Sequence, residues 1–110
     1  MSLDVSLSVK IDGNEVELYS ANITHNLNDM AEKAGIYMPL WRPEEIGIET
    51  AGQLIAPLTE GLDKLKAKRE YFEQFNSPNG WGLYENFVPW VESYLAACKL
   101  FPSASVLVDR

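Results

Sequence analysis

Leu3, Val5, Leu7, Val9 and Ile11 alternate with Asp4, Ser6, Ser8 and Lys10. A period of two with one apolar set is the pattern of a strand that buries a single face. Asp12-Gly13-Asn14 follows, and glycine's freedom at positive φ makes it a tight reversal. Glu15 to Ser20 then returns with Val16 and Leu18 on the inner side and Glu17 and Tyr19 on the outer. The first twenty residues are therefore predicted to form an antiparallel hairpin.

The period then changes. Ile23, Leu27, Met30, Ala31 and Ala34 recur at three- and four-residue steps, which predicts a helix from about Thr24 with Gly35 as its terminator. Ile36 to Arg42 reads as an aromatic connection, and Pro43-Glu44-Glu45 as a short helical start. Thr50 has the chemistry of an N-cap. Beyond it Leu54, Ile55, Leu58, Leu62 and Leu65 form one stripe, interrupted by Pro57 and Gly61, so a bend is expected near Pro57. Arg69 to Phe75 suits a further helical segment. After a turn at Asn76 to Gly82, a third long helix runs from about Leu83 to Leu100, where Pro102 stops it. Ser103 to Asp109 alternates again, with Ala104, Val106 and Val108 opposite Ser105, Leu107 and Asp109.

These elements predict one compact α+β domain over residues 1–110. Its three-stranded, mainly antiparallel sheet is covered on one face by helices, in the order β-β-α-α-α-β, with the last strand on one edge of the hairpin. A hairpin alone is marginal in water, and the third strand gives the helices a sheet to pack on.

Composition narrows the function classes. Sixteen acidic against nine basic residues leave a formal charge of −7, which opposes approach to a phosphate backbone, so no direct nucleic-acid partner is expected. The run Lys64-Leu65-Lys66-Ala67-Lys68-Arg69 closes a helix, where cations suit the negative dipole end. Cys98 is the only cysteine, which excludes an intramolecular disulfide and a Cys-rich zinc site. No apolar run nears the roughly 20 residues that span a bilayer, and Met1 to Ser8 do not resemble a leader. The expectation is a cytoplasmic protein without a membrane partner. Gly80-Trp81-Gly82 lacks the glycine spacing and following Lys-Ser or Lys-Thr of a phosphate loop. No cofactor is expected, and no residue is assigned as a metal ligand.

Four groups of residues carry candidate chemistry. His25, the only histidine, lies four residues before Asp29 and seven before Glu32. One helix face then holds an imidazole and two carboxylates, which suits acid–base work or contact with a divalent ion. A metal site nevertheless usually draws ligands from several elements, and no His-Glu-x-x-His is present. Asn26 and Asn28 suit capping, or the reading of a peptide or nucleotide edge. Trp41 and Arg42 precede Pro43 and offer a wide ring and a fork of donors; Arg42 is expected to pair internally with Glu44, Glu45 or Glu85, with an anion contact as the alternative. Trp81 is expected to fold back over the third helix as a cap on the core, so that Trp81→Ala costs about 2–4 kcal/mol. The alternative is an exposed anchor beside Tyr84, Trp41 or Tyr37. Cys98, on the stripe of the third helix, reads as a buried thiol.

Three strings carry a resemblance. Asn22-Ile23-Thr24-His25-Asn26-Leu27-Asn28-Asp29-Met30-Ala31, Leu40-Trp41-Arg42-Pro43, and Asn79-Gly80-Trp81-Gly82 followed by Tyr84-Glu85 resemble those of a family of small bacterial and phage proteins with no assigned activity. The resemblance covers nearly the whole chain. It implies a phage or prophage accessory protein and transfers no catalytic role.

Aromatic residues crowd the Pro and Gly turns while every catalytic arrangement is weak. The leading expectation is therefore a non-enzymatic protein-interaction or accessory module, binding a partner protein or itself as a homodimer. Trp41, Arg42, Trp81 and Tyr84 are its candidate binding residues. The alternative is a small metal-assisted hydrolase using His25 and Asp29 as catalytic residues.

Overall fold

The structure is a computed structural model that describes residues 2–110. Strand β1 (Ser2–Ile11) lies at the centre of the sheet, with β2 (Asn14–Thr24) and β3 (Ser105–Asp109) antiparallel on either side. Between β2 and β3 come α1 (Asn28–Lys33), α2 (Tyr37–Trp41), α3 (Ile55–Ala67), α4 (Arg69–Glu73) and α5 (Tyr84–Leu100). Turns of 3-10 helix at His25–Leu27, Pro43–Ile46 and Ala51–Leu54 join them. The architecture is the α+β sheet-and-helix layer that the period changes predict. None of these helices is long and apolar enough to cross a membrane.

Asp12 (φ 53°) and Gly13 (φ 81°) make the two-residue hairpin turn, and Ile11 faces Asn14 across it. Positive φ at both central residues matches the right-handed twist of the flanking strands. The hairpin does not stay regular. Ser8 pairs with Glu17 but Leu7 pairs with Tyr19, so Leu18 is one residue more than the ladder can accommodate. A bulge of this kind reverses the facing of every residue beyond it.

That reversal corrects the predicted facing of β2. Tyr19, Ala21 and Ile23 pair with the core residues Leu7, Val5 and Leu3, so Tyr19 turns inward. Its ring stacks on Tyr94 of α5, with centroids 5.9 Å apart and planes 8° from parallel. Ile23 and Thr24 also belong to the strand rather than to the first helix, and α1 begins only at Asn28. At the opposite end of the hairpin Ile11 and Val16 are exposed. Their alternation is that of an inward face, but the strands run past the helical layer there.

Leu3, Val5 and Leu7 are fully buried beneath Leu54, Leu58, Leu65, Phe87, Val91 and Tyr94. Each such aliphatic side chain contributes on the order of 1.5–3 kcal/mol by leaving water. The expected bend at Pro57 is replaced by a change of helix type: the 3-10 turn ends at Leu54 and α3 starts at Ile55. Pro57 thereby falls in the first turn of α3, where a missing N–H costs no helical bond. Gly61 supports a close approach, since a Cβ there would collide with Ile36. The predicted aromatic connection is the short helix α2, whose Leu40 and Trp41 are buried.

Candidate functional site

The Asn76–Gly82 turn crosses the chain where β2 passes into α1. Its shape is set by side-chain amides acting as backbone substitutes. Asn79 Oδ1 accepts from Trp81 N–H at 2.9 Å and from Ser77 Oγ at 2.6 Å. Asn76 Oδ1 accepts from Tyr84 N–H at 2.7 Å, a donor left free at the first turn of α5. Gly80 N–H donates to Ser77 O and Ser77 N–H to Gly82 O.

A second set of contacts fixes the turn to the body of the protein. Asn26 Nδ2 donates to Trp81 O at 2.9 Å. Gly82 sits at φ 113°, and a Cβ there would stand 2.9 Å from Asn26 Cβ. Only glycine meets both demands without strain. The outcome is a held loop that leaves Trp81 70% exposed. This corrects the expectation that Trp81 caps the core: the flanking glycines bring the backbone against Asn26, and the ring points away from the helices into solvent.

The remaining predicted residues separate. Trp41 is buried, stacked on Tyr37 with centroids 5.4 Å apart. Its Nε1–H donates to His25 Nδ1 at 2.9 Å. An indole N–H only donates, so Nδ1 is the acceptor here and the ring N–H is on Nε2. Tyr84 is also buried, and its hydroxyl donates to Leu65 O at 2.8 Å. Neither ring offers a surface. Arg42 is partly exposed and donates to Glu45 Oε2 at 2.7 Å and to Tyr37 OH at 3.3 Å. Those bonds, to Glu45 above all, push its pKa up. Of the three carboxylates considered, Glu45 is the partner. Glu44 is held instead by Arg110, whose guanidinium also donates to Trp41 O, and the contact lowers the Glu44 carboxyl below its ordinary value.

His25 and Asp29 border one shallow surface groove without hydrogen bonding to each other. Among the described residues no three His, Cys, Asp or Glu side chains gather as ligands for an ion. Cys98 is buried within α5, and desolvation pushes its thiol up to about 12.

What the structure does assemble is the three strings quoted above. Asn26 of the first bonds to Trp81 of the third, and His25 of the first bonds to Trp41 of the second. Beside Trp81 this junction forms an open groove of about 860 Å³. Among its described lining residues none is charged, in a chain where 23% of residues are. A second groove of about 510 Å³ adjoins it through His25 and Asn26 and adds one charge, Asp29. Six of the chain's seven asparagines border the two grooves. Sequence reasoning missed this gathering, because Asn22 comes from β2, Asn76 and Asn79 from the turn before α5, and Asn86 from α5. The available signal was the clustering of amides at Asn22–Asn28 and again at Asn76–Asn86.

Compared with known proteins, the chain matches no family model, no curated protein and no solved structure.

Proposed function

We propose that the protein is a non-enzymatic interaction module that engages a partner protein through Trp81. The observation that carries this reading is the exposed indole on a loop held by hydrogen bonds on both sides. A ring of this size forgoes roughly 2–3 kcal/mol of burial when it stays in water. It recovers that on docking, and a loop already ordered loses little further entropy. Tryptophan anchors of this kind dominate many interfaces. His25 supports the surface rather than a reaction, because Trp41 occupies its one acceptor nitrogen.

Affinity capture from a host-cell extract, run in parallel on wild-type and Trp81→Ala protein and read by mass spectrometry, tests the role. The expected result is a partner retained by wild type and lost from the variant while the variant remains folded. If the partner is a second copy of this chain, sedimentation shows a dimer that Trp81→Ala dissociates. Identical capture and identical sedimentation for the two proteins would remove Trp81 from recognition.

A further inference from the structure

The groove beside Trp81 has a donor and acceptor balance that narrows its ligand. Asn79 uses Oδ1 to accept a backbone N–H, which fixes the amide orientation and leaves Nδ2 as a donor without a protein partner among the described residues. His25 uses Nδ1 to accept from Trp41, leaving Nε2–H. Trp81 adds its indole N–H on an exposed ring. Three neighbouring groups are thus left as donors. Asn26 runs the other way, its Nδ2 bonded to Trp81 O and its Oδ1 left to accept. Asn22 and Asn86 carry no fixed bond and suit either role.

A donor-rich, uncharged surface with one aromatic platform is complementary to a neutral ligand rich in acceptors and poor in N–H groups. Charged ligands would lose hydration there without gaining an opposite charge. An extended β-segment or a sugar presents donors and acceptors in similar number. A left-handed polyproline segment presents carbonyls along its length, no N–H at each proline, and flat rings that pack on an indole. We propose that this groove takes a proline-rich segment of the partner protein, with a proline ring on Trp81 and its carbonyls facing Trp81 Nε1, His25 Nε2 and the Asn79 amide; the proposal rests on the recognition role given to Trp81 above.

The probe is a blocked polyproline peptide of roughly ten residues, long enough for about three turns, titrated into the nitrogen-15-labelled full chain. The expected response is a saturable shift of the Trp81 indole N–H and of the Asn79 side-chain amide. A Gly-Ser peptide of equal length shifts none of them. Trp81→Phe keeps a ring, removes the indole donor and weakens polyproline binding roughly tenfold. Unmoved signals at millimolar polyproline, equal shifts with the Gly-Ser peptide, or saturation by a neutral oligosaccharide instead would overturn the proposal. If wild type alone still captures a partner while polyproline does nothing, the ligand class fails and the recognition role stands. If capture and titration both fail, so do both readings.

Discussion

At the scale of single residues, the pair of part-buried His25 and buried Trp41 gives the plainest energetic consequence. The Trp41 indole N–H has one acceptor, His25 Nδ1, and the Trp41 ring is 2% exposed. Removing the imidazole leaves that donor inside the protein without a partner, at a cost of about 1–3 kcal/mol. His25→Ala should therefore lower stability by that amount in equilibrium denaturation. A loss below about 0.5 kcal/mol, typical of surface changes, would separate the two side chains. Gly82 makes the matching case in the loop. With φ at 113° and Asn26 against it, Gly82→Ala carries both backbone strain and a steric clash, about 1–3 kcal/mol. Its expected signature is a displaced Trp81, seen as an altered emission maximum and loss of the Trp81 indole cross-peak position.

At the scale of elements, the strands and long helices were legible because each repeats one period for several residues. Leu3, Val5 and Leu7, and Leu54, Leu58, Leu62 and Leu65, are buried as their stripes predict. Features that turn on one inserted residue were not legible. Leu18 carries no mark in the sequence that it is surplus to the ladder, yet it decides that Tyr19 rather than its predecessor meets Tyr94. Deleting Leu18 is expected to split into two bad outcomes. Either Tyr19, Ala21 and Ile23 rotate to the solvent face, or the pairing beyond Ser8 slips by one residue. Circular dichroism should show loss of the cooperative transition, whereas Leu18→Ala, which keeps the count, should retain it. The same limit explains the site. Trp81 between two glycines was conspicuous, but whether it faced core or solvent depended on Asn26, more than fifty residues away.

At the scale of the whole molecule, burial couples several groups to alkaline pH. The Cys98 thiol is pushed from an ordinary 9.0 up to about 12 by burial, and the Tyr19 and Tyr94 phenols are raised from 10.0 in the same direction. In the unfolded chain the thiol ionises near 9, while the folded chain keeps it neutral, so above that pH the unfolded state holds fewer protons. Stability is thus fully present below pH 9 and is lost as pH rises toward 12. Urea midpoints measured from pH 8 upward should fall progressively, and Cys98→Ala should flatten the first part of that fall. A midpoint independent of pH up to 11 would contradict the burial of all three groups.

The surface itself divides by chemistry: the sheet's outer side carries Asp4, Glu17 and Asp109, whereas the junction around Trp81 is uncharged. Recognition through that junction requires Trp81 to be a solvent-facing ring on an otherwise complete fold. Urea unfolding of Trp81→Ala at neutral pH measures this most directly. Surface placement predicts a change in unfolding free energy within about 0.5 kcal/mol of wild type and an unchanged dependence on denaturant. A loss of about 2–4 kcal/mol, the cost of emptying a core site, would place Trp81 inside the protein and contradict the recognition surface.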